Sequence, residues 1–169
     1  MKDNMTKKLV FAALFAALTC VATMIIKIPT PLGGYIHAGD AVVVLAAFLL
    51  GPVWGALAAG LGSALADLIS GYALYVPGTF VIKALVALVA GWLLTRKMFN
   101  NKFAKALIAG IVGEIVMVGG YMLFEAVFLN FGVAAAANIP MNAIQGAFGA
   151  VAGAALFVAL SKTNYFKGE

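Results

Sequence analysis

Six apolar stretches divide the chain, at roughly 8–26, 41–50, 53–70, 79–95, 104–129 and 139–160, separated by short polar or Gly/Pro-containing breaks. At about 1.5 Å rise per residue, each is read as long enough to cross or nearly cross a hydrocarbon core of ~30 Å. The second is short, and Gly51-Pro52 parts it from the third, because proline removes a backbone donor and disfavours helix in the residue before it. The runs are rich in Ala, Leu, Val and Gly and lack the alternation of a membrane barrel, so they read as helices. The expected fold is an all-α membrane protein, one transmembrane domain over residues 1–169 built as a compact bundle of six helices.

Composition agrees with that pattern. Hydrophobic residues make up 64% and charged residues 10% of the 169 positions, and the mean hydropathy is +1.08. That leaves too little polar surface for a soluble globule. Lys2, Lys7 and Lys8 precede the first helix, Arg96, Lys97, Lys102 and Lys105 lie between the fourth and fifth, and Lys162 and Lys167 follow the sixth. An even helix count gathers these groups on one side, which the positive-inside rule makes cytoplasmic, together with both termini. Trp54 and Trp92 then fall near that interface. The net charge of +5 suits anionic lipid and calls for no nucleic acid. The first helix resembles a signal peptide in its Lys7-Lys8 start, but its apolar run is longer than a typical h-region, so it is read as retained. Cys20, the single cysteine, reads as a packing residue.

Polar side chains inside these helices are costly and mark function or fixed pairing. In "GEIVMVGGYMLFEA", Glu114, Val118, Tyr121 and Glu125 share one helical face. Asn138, Asn142, Gln145 and Gly149 share a face of the sixth helix, Thr79 and Lys83 lie one turn apart on the fourth, and Asp67 ends the third. The loop "KIPTPLGGYIHAGD" adds Tyr35, His37 and Asp40, with Tyr75 in a later loop. On the expected topology nearly all of these belong to the outer half of the membrane, which predicts a polar pocket opening outward and roofed by the first loop. Lys83 is placed to neutralise Asp67 or Glu114 as a purely structural pair, and Asn142 and Gln145 also suit interhelical hydrogen bonding. His37 has no metal-ligand spacing around it, and Gly33-Gly34 reads as a turn.

The chain carries no phosphate-binding loop, no hydrolytic triad or H-E-x-x-H pattern, and no Cys/His array. No enzyme activity, cofactor or metal is expected. Nor do its halves show the broken-helix repeat of a self-sufficient secondary transporter. A pocket without its own energy source points to a binding subunit. In "FAALFAALTCVATM", Ala12 and Ala16, and Ala13 and Ala17, form small-residue faces on which another helix can pack closely.

These features, over essentially the whole chain, resemble the substrate-binding (S) components of energy-coupling factor (ECF) transporters. The segment "GYIHAGDAVVVLAAFLLGPVWGALAAGLGSALADLISGYALYVPGTFVIKALVALVAG" is similar to the riboflavin-transporter-like branch, which includes carriers for hydroxymethylpyrimidine and pyridoxine-type substrates. The resemblance implies vitamin capture outside a prokaryotic cell membrane. It further implies delivery through a transmembrane scaffold subunit and two cytoplasmic ATPases, with Ala12, Ala13, Ala16 and Ala17 against the scaffold and residues 27–40 as a gate. Carboxylates facing one lysine, with Tyr35, Tyr75 and Tyr121 for stacking, suit a small aromatic heterocycle carrying amine or hydroxyl donors. Pyridoxine, pyridoxamine or hydroxymethylpyrimidine fit this description, with riboflavin as the alternative. Two rivals remain: a stand-alone channel or proton-coupled carrier using Asp67, Lys83 and Glu114, and a structural membrane protein without a ligand.

Overall fold

The computed structural model describes residues 5–97 and 100–163; Lys2 and Lys167, two of the basic residues used for orientation, lie outside them. Among the described residues the chain forms six α-helices: α1 (Met5–Ile25), α2 (Asp40–Leu50), α3 (Pro52–Ile69), α4 (Val76–Thr95), α5 (Lys102–Val127) and α6 (Ile139–Leu160). Five helical stretches are long and apolar enough to cross a bilayer. The exception is α2, whose 11 residues extend roughly 16 Å at the helical rise. All six expected helices are present, five of them long enough to span and the second, as expected, short.

Burial explains why α2 stays short. From Val43 to Phe48 it is buried on every side, touching α1, α3, α4 and α6. Apolar contact all round is the mark of a core helix. Gly51 ends it at φ +80, a left-handed value that glycine tolerates without steric cost, and Pro52 starts α3 at its first turn. The chain then folds straight back. At Gly55 a Cβ would lie 2.6 Å from the Cα of Ala47, so only glycine lets α3 lie against the backbone of α2.

Two elements were not foreseen. The loop after α1 is a β-hairpin of β1 (Lys27–Pro29) and β2 (Tyr35–His37), antiparallel with Ile28 opposite Ile36, and Gly33 at φ +90 turns it. A 3₁₀ helix, Gly132–Asn138, leads from α5 into α6. Asp40, assigned from sequence to the loop, is the first residue of α2 and is fully buried. The outward faces of the helices carry large apolar side chains such as Leu14, Leu61, Ile115 and Phe148, as a lipid-facing surface must.

Candidate functional site

At the hairpin end of the bundle, Thr30, Gly34, Tyr35 and His37 from the hairpin meet Asp67, Tyr72, Tyr75 and Thr79 around the α3–α4 turn. Tyr121 and Glu125 of α5 and Asn142 and Gln145 of α6 complete the lining of one cavity. Its free volume is about 20 Å³, close to the minimum that holds a single water. A vitamin-sized ligand therefore enters only when the hairpin or its aromatic side chains move.

Each carboxylate at the cavity is held by a donor. Tyr35 Oη donates to Asp67 Oδ1 at 2.6 Å. Glu125 accepts Asn138 Nδ2 on both oxygens, at 2.9 and 3.0 Å, and Tyr75 Oη at 3.2 Å. Tyr121 Oη and Thr79 Oγ1 share a hydrogen bond of 3.0 Å. Burial, reinforced by the neighbouring carboxylates, raises both Tyr35 and Tyr75 well above the usual phenol range, so each hydroxyl stays protonated as a donor. The rings of His37, Tyr35, Tyr72 and Tyr75 follow one another at centroid distances of 5.5, 4.6 and 6.4 Å, forming an aromatic wall.

His37 is neutral in this setting. Burial first, and then the nearby Lys83 ammonium, push its imidazole down to about 3. Gly39 N–H donates to Nδ1 at 3.1 Å, which leaves the ring hydrogen on Nε2. Thr30 Oγ1 is buried and unpartnered among the described residues.

Beneath the cavity, Lys83 is fully buried and paired with Asp40 at 2.5 Å. This corrects the sequence-based pairing with Asp67 or Glu114. Lys83 also lies 5.4 Å from the centroid of the Tyr121 ring. Gln145 Nε2 donates to Asp40 Oδ2 at 2.6 Å, while its Oε1 accepts the backbone N–H of His37 at 2.8 Å. The side chain of Gln145 therefore joins the hairpin to the buried pair.

The structure thus brings Tyr35, His37, Asp67, Tyr75, Thr79, Tyr121, Glu125, Asn142 and Gln145 to one cavity. Asp40, Lys83 and Glu114 lie outside its lining, and Asn138 acts through Glu125. Thr30 and Tyr72 were missed. Tyr72 stands three residues before Tyr75, a spacing that was legible, whereas nothing local marked Thr30. On α1 the two alanine faces separate. Ala12 is buried in the cluster with Phe15, Leu45 and Ala58, and Ala16 faces Gly62 of α3; only Ala13 and Ala17 remain exposed.

The fold and the sequence have counterparts among known proteins. The profile of the family described as ECF-type riboflavin transporter, S component, matches residues 3–162. The chain belongs to this S-component family. S components are substrate-binding subunits of vitamin transporters and multi-pass membrane proteins. A solved S component of a bacterial ECF transporter superposes on this one with a TM-score of 0.72 at 25% identity, covering 98% of this chain and 100% of the other. The S component for biotin from an ECF-type ABC transporter shares the fold, with a TM-score of 0.68 at 20% identity over 99% and 97% of the two chains. In sequence, this S component is 29% identical to the thiamine precursor transporter HmpT of Lactococcus lactis over 99% of its own length and 96% of HmpT. It is 36% identical to an uncharacterized protein from the gap 3′ region of Pyrococcus woesei, over 84% and 93% of the two chains.

Proposed function

We propose that this S component captures a small, flat, amine-bearing heterocycle of the hydroxymethylpyrimidine or pyridoxine type from outside the cell. The observation that carries this reading is the pairing of two carboxylates, Asp67 and Glu125, with an aromatic wall in one cavity. Carboxylates accept hydrogen bonds from ring substituents such as an exocyclic amine, and tyrosine faces take up a planar ring. The likeness to HmpT along nearly the full length of both chains supports the pyrimidine over the pyridine.

Ligand binding involves Tyr35, His37, Asp67, Tyr72, Tyr75, Tyr121, Glu125 and Asn142, with Thr79 orienting Tyr121 and Asn138 orienting Glu125. Asp40, Lys83 and Gln145 hold the floor. The basic clusters support an orientation with the termini in the cytoplasm and the cavity at the outer face. Energy comes from a scaffold subunit and two ATPases, docked on the side of α1 that exposes Ala13 and Ala17.

Riboflavin is the second reading, favoured by the name of the matching family. Isothermal titration of the purified protein with hydroxymethylpyrimidine, pyridoxine and riboflavin separates the two. Tightest binding of hydroxymethylpyrimidine is expected. Tightest binding of riboflavin replaces the reading, and failure to bind any vitamin returns the protein to the channel or structural alternatives.

A further inference from the structure

Four carboxyl groups are described in the chain, and three of them have donors: Asp40 from Lys83 and Gln145, Asp67 from Tyr35, and Glu125 from Asn138 and Tyr75. Glu114 has none. Its side chain is 4% exposed, and neither carboxyl oxygen has a hydrogen-bond partner among the described residues. It does not line the cavity at the hairpin end, so ligand recognition does not account for it.

Among the described residues its surroundings hold no spare cation. From α6 it meets Gly146 and Gly149: a Cβ at Gly149 would lie 2.9 Å from Glu114 Oε1 and 2.7 Å from Asp40 Cβ, so the two acids share one notch. From α2 comes Asp40, whose Cβ borders the same notch at Gly149. From α4 comes Lys83, already on Asp40 and over the ring of Tyr121. His37, beyond Gln145, is neutral at physiological pH. On its other side Glu114 itself, with Ile111, Ile115, Val118 and Ala143, lines an otherwise apolar cleft of about 560 Å³ between α5 and α6.

An ionised Glu114 would give this cluster two negative charges against one positive, with no donor for the second carboxylate. Each buried ion costs several kcal/mol before compensation. A protonated carboxyl group is neutral and supplies the missing donor, an O–H directed at an acceptor. We propose that Glu114 is a membrane-embedded proton-binding site, whose carboxyl group keeps a proton and donates a hydrogen bond through it to Asp40, completing a net-neutral Lys83–Asp40–Glu114 cluster. The proton closes the seam between α5, α6 and α2. Its loss sets two carboxylates in repulsion beside Gly149, and Gln145 transmits the resulting shift of Asp40 to the hairpin.

The stability of the protein then depends on pH in a defined sense. In the unfolded chain a glutamate releases its proton near 4.3. Above that pH the native state holds one more proton than the unfolded state, so stability falls as the solution becomes alkaline.

The test is infrared spectroscopy of the full chain in phosphatidylcholine bilayers at neutral pH, with and without ¹³C-carboxyl glutamate. A protonated-carboxyl C=O band is expected that shifts with the label, persists in E125Q and E169Q, and is lost in E114Q. Thermal unfolding should fall steeply with alkaline pH in the wild type and much less in E114Q. If E114Q does not fold, the label with the two other glutamate variants still assigns the band, because the chain has only three glutamates. Absence of the band, its insensitivity to glutamate labelling, or its loss in E125Q overturns the proposal.

Discussion

The Oε1 atom of Gln145 accepts the backbone N–H of His37 at 2.8 Å, across 108 positions of sequence. Through its other end the same amide donates to Asp40 at 2.6 Å. One uncharged side chain therefore holds the hairpin on α6 and caps the buried ion pair.

Replacing Gln145 with leucine keeps the volume and removes both contacts. The cost expected is about 1–3 kcal/mol, from leaving one oxygen of the Asp40 carboxylate and the His37 amide without partners. Hydrogen exchange of residues 27–37 should accelerate while the centre of α4 stays protected. Unchanged hairpin protection would show that the hairpin is held elsewhere, for example by Lys27 on Ser70.

Lys83→Met removes the cation paired with Asp40. Stranding that charge in the bundle should cost about 3–5 kcal/mol. Adding Asp40→Asn should recover much of the loss, because the double variant leaves no charge stranded at this position. Thermal unfolding of the two single variants and the double variant in detergent measures the coupling; additive losses would rule out a direct pair.

His37 is the single histidine of the chain, and its native imidazole titrates at about 3 against about 6.5 when unfolded. Between those values the unfolded state binds the extra proton, so acid destabilises the protein in this window. The slope contributed is at most about 1.4 kcal/mol per pH unit. His37→Gln should flatten the acid-side loss of stability between neutrality and mild acid relative to the wild type, and an unchanged difference curve would rule out this role.

The two alanine faces of α1 should respond differently to bulk. Ala12→Leu forces a larger side chain into the cluster around Phe15 and Leu45, at an expected cost of about 1–3 kcal/mol. Ala13→Leu and Ala17→Leu lie on the exposed side and should leave the melting temperature and ligand binding near wild type while reducing uptake in cells that carry the coupling module. Normal uptake in both exposed-face variants would move the docking surface to another helix.

The helices were legible because a bilayer demands long apolar runs, and Gly51-Pro52 broke the second from the third by backbone chemistry that is local to those two residues. Helical periodicity likewise set Glu114 with Tyr121 and Glu125, and Asn142 with Gln145, on common faces. Periodicity fixes a face, however, and not the depth or tilt at which that face meets its neighbours. Only the tertiary structure decided that α2 is a short core helix whose first residue, Asp40, reaches Lys83 in place of Asp67 or Glu114. It alone separated buried Ala12 from exposed Ala13, and brought Thr30 and Tyr72 to the cavity. Contacts between side chains distant in sequence depend on how far α2 sinks into the bundle and how the hairpin folds over it, and those offsets are set by close packing at glycines such as Gly55 and Gly149, a property of facing helices and of neither helix alone.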